Sequence, residues 1–129
     1  AEAVAARENS SSQQVMRHLP DIIKAIALNN KLDESQDLAG MVQESLVTTL
    51  RKTNAQVRSR GVKKAPFVVL IGAEMPSVLA EISFVSNQQE LALLKTTAYK
   101  NKIAESLSAA LLRYRRALKA TTTVALQEP

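Results

Sequence analysis

The sequence predicts an α/β fold, with helices packed around a mostly parallel sheet to which the chain supplies about two strands and the closing helices. Three observations carry that prediction. Helix formers dominate a composition with only three glycines and four prolines, which favours helices over a many-turned all-β architecture. Phe67-Val68-Val69-Leu70-Ile71 is a continuous apolar run bounded by Pro66 and Gly72, the pattern of a strand buried on both faces of a sheet. Residues 77 to 83 then read as a second strand, in which Val78, Ala80, Ile82 and Phe84 point one way and Ser77, Leu79, Glu81 and Ser83 the other. At 129 residues and 46% apolar content, the chain is long enough for one domain with a core.

From the N-terminus, residues 1 to about 8 are Ala-rich and helix-compatible, and Asn9-Ser10-Ser11-Ser12 is either a break or the N-cap of the next helix. Beyond Pro20, Ile22, Ile23, Ile26 and Ala27 put an apolar stripe on a short helix ending near Asn29-Asn30. A clearer helix starts near Asp33, with acids in its first turns and Leu38, Val42, Leu46 and Leu50 spaced four apart, and runs to about Thr53. Residues 54 to 66 form a polar, basic linker, and Pro66 opens the first strand because it has no N–H to give a ladder. After the second strand, Asn87 with Glu90 three residues on resembles a capping arrangement for a short helix over Gln88 to Lys95. Tyr99, Ile103, Leu107, Ala110, Leu111 and Tyr114 mark the core face of a long last helix, and residues 121 to 129 read as a frayed tail. Two adjacent strands leave unpaired edges, so the sheet needs further strands from elsewhere.

Composition excludes several function classes. The aromatic residues are Phe67, Phe84, Tyr99 and Tyr114, with no Trp, which argues against a sugar-stacking platform or a base-stacking nucleic-acid surface. Without cysteine there are no disulfides and no thiolate metal sites. No stretch approaches the roughly 20 apolar residues that span a bilayer, and the start lacks the order of a signal peptide. The start also lacks an initiator Met and reads as a chain entered part-way, after processing or as a piece of something longer. Charge is uneven: Arg51 to Lys64 holds six basic residues and no acid. That segment is either a solvated helix end and loop or a surface for a polyanion.

Chemistry has few places to sit. His18 is the single histidine, so a complete zinc site within the chain is not expected, and a helix-end role suits it better than ligation. There is no glycine-flanked nucleophile elbow and no phosphate-cradling glycine loop. Glu81 is the one titratable group embedded in an apolar strand; burial would make such a carboxylate hold its proton more tightly and fit it for general acid–base work near neutral pH. A solvated or ion-paired strand glutamate is the alternative.

Residues 60 to 114 resemble the C-terminal half of the zinc-dependent N-acetylmuramoyl-L-alanine amidases. The strongest likeness is MPSVLAEISFVSN, residues 75 to 87, where the family has Pro-Ser, small and aliphatic residues, a glutamate, an aromatic and a Ser-Asn followed by acidic helix residues. Upstream, AARENSSS resembles the Glu-Asn segment that comes after the family's last zinc-binding histidine, which extends the likeness over residues 3 to 116. Ser83 departs from the family, which more often has glycine there, a change that bears on the local loop geometry.

The resemblance implies a peptidoglycan hydrolase of the periplasm or cell exterior that cuts the bond between N-acetylmuramic acid and the first L-alanine of the peptide stem. It implies that a zinc ion held by two His and one Glu binds the water, and that Glu81 accepts the water's proton and passes one to the leaving amine. The zinc ligands would lie N-terminal to residue 1, so the expectation is one catalytic residue, Glu81, and no cofactor held by this chain alone. Residues 1–120 would be the C-terminal part of a single catalytic domain. Residues 9–46 would stand where cell-division members carry a helical insertion that covers the site until an activator protein removes it, or would be scaffold helices. Peptidoglycan and that activator are the implied partners, with no nucleic acid and no membrane span. A different reading is a non-catalytic binding module, or a degenerate remnant, that uses residues 51–64 on a polyanion.

Overall fold

Apolar side chains four residues apart meet on one face only if the backbone is helical, and the stripe Leu38, Val42, Leu46 and Leu50 folds accordingly. In the computed structural model, which describes residues 2–11, 31–71 and 73–125, these four residues are all buried on one helix, Lys31–Arg51. In chain order the elements are α1 (Glu2–Glu8), a 3-10 turn (Asn9–Ser11), α2 (Lys31–Arg51), a second 3-10 turn (Val68–Leu70), α3 (Gln88–Leu94) and α4 (Thr97–Ala125). The expected stripe at Ile22, Ile23 and Ile26, and His18, lie outside the described residues.

The core is the seam between α2 and α4. Leu38, Val42, Leu46 and Leu50 pack with Tyr99 and Ala110, and Ile103, Leu107 and Tyr114 of α4 add half-buried surface. Truncating any one of the buried leucines to alanine would cost about 2–5 kcal/mol. Small side chains let the two helices approach: the Ser45 hydroxyl donates to the Ser106 carbonyl at 2.8 Å, and the buried Ser106 hydroxyl bonds back to Lys102 O at 2.6 Å. Arg113 and Glu44 pair across the same seam, but both are more than half exposed, so the pair contributes little. Leu111, expected on the core face, is 54% exposed, because it falls one residue past Ala110 and a turn of about 100° carries it off the seam. The last helix continues to Ala125, into the segment expected to fray.

The start of α3 is capped as the sequence suggests, and that of α4 by a residue that the sequence pattern does not single out. Asn87 Oδ1 accepts the N–H groups of Gln89 and Glu90 at 3.0 and 3.2 Å, satisfying two orphan donors of α3. Thr96 Oγ1 accepts from Tyr99 N–H at 3.2 Å and does the same for α4.

The expected sheet is not formed: among the described residues there is no strand, and the fold is helical rather than α/β. Residues 67–71 are extended at both ends, but between them Val68–Leu70 winds into a 3-10 turn. Leu70 N–H donates to Phe67 O at 2.9 Å and Ile71 N–H to Val68 O at 3.1 Å. A strand's backbone groups can be satisfied only by a neighbouring strand. Here the backbone uses local i to i+3 bonds instead. Residues 77–83 take no regular secondary structure and form no ladder.

The Tyr114 hydroxyl is buried and has no hydrogen-bond partner among the described residues. Burial first, and then the nearby Glu34 and Asp37 carboxylates, raise its pKa above the ordinary 10.0, with Lys31 opposing. A folded-state value above the unfolded one means that Tyr114 leaves stability intact below pH 10.0 and that stability is lost as pH rises through the raised value. Tyr114→Phe is therefore expected to hold or increase stability at neutral pH, by up to about 1 kcal/mol, since it removes an unpaired polar group. It should also flatten the decline above pH 10.0. Thermal melts from neutral to strongly alkaline pH check this, and a clear loss of stability near neutral pH would show that the hydroxyl has a partner.

Candidate functional site

The connection between the second 3-10 turn and α3 carries the candidate residue. Val78 and Ile82 pack against the α2–α4 core, while Leu79, Ala80 and Glu81 between them are exposed. The segment is thus pinned at two points and bowed outward between them. Sequence places Glu81 inside an apolar strand; it stands instead on this exposed bow, so the burial on which its acid–base reading rests is not met. No hydrogen bond or ion pair engages its carboxylate among the described residues.

The residues after Glu81 are firmly tied. Ser83 has φ 64°, a left-handed conformation that costs a residue bearing a side chain about 1–2 kcal/mol relative to ordinary backbone. Its hydroxyl shares a 3.2 Å hydrogen bond with the Tyr99 hydroxyl, and Tyr99 is only 2% exposed. The departure from the family's more frequent glycine therefore falls where the backbone itself favours glycine, and the bond to Tyr99 offsets the strain. Phe84 is held on three sides. Its N–H donates to Glu90 Oε2 at 2.5 Å, its carbonyl accepts from Asn87 N–H at 3.0 Å, and its ring lies 4.8 Å from the Arg60 guanidinium. Chemically, the arrangement is an unengaged carboxylate on a backbone whose position is set by the core on one side and by α3 on the other.

Asn9, which the sequence offers only as part of a break-or-cap cluster and of the Glu-Asn segment that resembles the family, takes a long-range role that neither reading specifies. It is 4% exposed; its Nδ2 donates to Pro66 O at 2.7 Å and its Oδ1 accepts from Val68 N–H at 2.8 Å. The two bonds flank Phe67 as one residue of a neighbouring parallel strand would. From local pattern alone, an Asn after an Ala-rich helix admits the readings of break or cap, and the Glu-Asn likeness to the family does not say what the side chain holds.

The described residues do not fit a metal site: among them no group of three or more His, Cys, Asp or Glu could hold an ion. Among them, too, no helix is long and apolar enough to cross a membrane.

Residues 9–113 match the family described as N-acetylmuramoyl-L-alanine amidase. The chain belongs to that family. It is 37% identical over 75 residues to the uncharacterized protein YqiI of Bacillus subtilis (strain 168), covering 58% of this chain and 34% of that protein. It is 37% identical over 82 residues to the N-acetylmuramoyl-L-alanine amidase LytC of the same strain, covering 64% of this chain and 16% of LytC. With the N-acetylmuramoyl-L-alanine amidase AmiA of Salmonella typhimurium it shares 42% identity over 59 residues, 46% of this chain and 20% of AmiA. The chain thus spans at most about a third of the length of these relatives. No solved structure matches it significantly.

Proposed function

We propose that this chain is part of a peptidoglycan hydrolase that cleaves the amide between N-acetylmuramic acid and L-alanine, with Glu81 moving the protons. The observation that carries this reading is the exposed, unengaged Glu81 carboxylate on a connection pinned by Val78, Ile82 and the Ser83–Tyr99 bond, inside the region that matches the family. Amide hydrolysis needs a group that accepts a proton from attacking water and returns one to the departing amine. A carboxylate that no neighbour occupies, on a backbone that does not drift, meets that need. Zinc is implied by the resemblance, but the described residues do not fit it, so Glu81 is assigned proton transfer and nothing more. The enzyme would work in the cell envelope or outside the cell, periplasmic in a double-membraned cell.

The helical cover relieved by an activator during cell division belongs to the same proposal, but within narrower limits than residues 9–46. Lifting α2 away would expose Leu38, Val42 and Leu46, all buried, and moving Asn9 would break its bonds to Pro66 and Val68, so a displaceable segment would include neither. The test of the reading is product analysis. A protein containing this chain, together with the remainder of its domain, is incubated with purified peptidoglycan, and the soluble products are identified by mass spectrometry. Stem peptides with a free L-alanine amino group are expected; glycan fragments still bearing intact stems would overturn the assignment.

A further inference from the structure

The six cations of residues 51–64 outlast the bland account of them. A helix C-terminus welcomes positive charge within its last turn, which explains Arg51 and Lys52 at the end of α2. It does not reach Arg58, Arg60, Lys63 and Lys64. All six are exposed, and among the described residues none is in an ion pair. The segment is nonetheless built rather than loose. Gln43 Nε2 donates to Ser59 Oγ at 2.8 Å, Arg51 Nε to Val57 O at 3.2 Å, and Gly61, at φ 72°, gives its N–H to Ser59 Oγ at 3.2 Å. Lys102 of α4 joins the same end of the molecule through its bond to Thr53 Oγ1 at 2.5 Å.

Two contacts decide what such a surface faces. The Arg60 guanidinium lies 4.8 Å from the Phe84 ring, three residues beyond Glu81, so the basic segment and the candidate catalytic connection are neighbours. The aromatic residues offer little for base stacking, since Tyr99 is buried and Phe84, though 49% exposed, already has the Arg60 guanidinium over one face of its ring, so no array of open aromatic faces lies beside the cations.

We propose that residues 51–64, with Lys102, form a docking surface for the carboxylates of peptidoglycan stem peptides, holding the polymer beside Glu81. The proposal rests on the hydrolase reading for its choice of polymer. Peptide stems end in carboxylates, and a wall fragment presents many at once, so several weak contacts add through effective concentration. The exposed position makes the attraction long-ranged and sensitive to salt.

The experiment measures binding by the 129-residue chain and needs no hydrolysis. Co-sedimentation with purified peptidoglycan is compared for the chain and for a variant carrying Arg58→Gln, Lys63→Gln and Lys64→Gln, all exposed side chains, with melting curves to establish that both fold alike. The chain is expected to bind at low salt and to lose at least about tenfold in affinity between roughly 50 and 200 mM salt. The variant is expected to bind at least about tenfold more weakly, and peptidoglycan whose carboxylates have been amidated should not retain the chain. Equal retention of the variant, or of the chain on amidated peptidoglycan, overturns the proposal. So does tighter binding to a single-stranded oligonucleotide than to peptidoglycan, which would make the surface a nucleic-acid site. Loss of this docking would leave the hydrolase reading standing, and absence of hydrolysis by the longer protein would leave the docking intact.

Discussion

Replacing Glu81 by glutamine, in a protein that joins this chain to the rest of an amidase domain, is expected to lower kcat by about a hundred- to ten-thousand-fold. The fold of this chain should not change. Glutamine keeps the size and polarity of the side chain and removes only its capacity to take up and release a proton. Glu81 is exposed and nothing among the described residues depends on its charge, so melting should shift by no more than the few tenths of a kcal/mol usual for a surface change. The separation of the two readouts is what makes the test useful. A residue that merely supported the connection would show itself in stability, and Ser83 and Tyr99 are the residues placed to do that. Steady-state kinetics on soluble muropeptides, with melting curves of the same preparations, check the prediction. A loss below about tenfold would remove Glu81 from proton transfer, whatever the rest of the site does.

The parts of this structure legible in the sequence are those whose causes are local. Leu38, Val42, Leu46 and Leu50 announce α2 because a helical period and a buried face are the same fact, and Asn87 announces α3 because its side chain reaches N–H groups two and three residues on. The apolar run at residues 67–71 reads as a strand on equally sound local grounds. A strand, however, is completed by residues far away in sequence, and none is present among the described residues to complete it. With the ladder missing, alternation loses its meaning as well. Residues 78 and 82 meet the core and the intervening three do not, so the expected burial of Glu81, inferred from its neighbours, fails with the strand. The likeness of residues 75–87 to the family, from which the proposed role of Glu81 comes, depends on no secondary structure. The left-handed backbone at Ser83 is half visible, since a family preference for glycine is a preference for positive φ.

Asn9→Ala is expected to destabilise the protein by about 1–3 kcal/mol, a large effect for a single polar substitution. The amide of Asn9 satisfies Pro66 O and Val68 N–H at 2.7 and 2.8 Å from a position only 4% exposed. Truncation leaves the half-buried Val68 N–H without a partner, at a cost of about 1–3 kcal/mol, while the carbonyl of the exposed Pro66 can turn to water. Asn9→Asp separates the two bonds. An ionised carboxylate still accepts from Val68 N–H but repels the Pro66 carbonyl, so this variant should fall between wild type and alanine near neutral pH. At acid pH its protonated oxygen can donate to Pro66 O, and stability should move back towards wild type as pH falls, opposite to the usual trend for a carboxylate that is favoured in its charged form. Chemical denaturation of the three proteins at two pH values measures this directly. If Asn9→Ala and wild type have the same midpoint, then Asn9 does not hold residues 66–68, and the segment leading to Glu81 is positioned by the core alone.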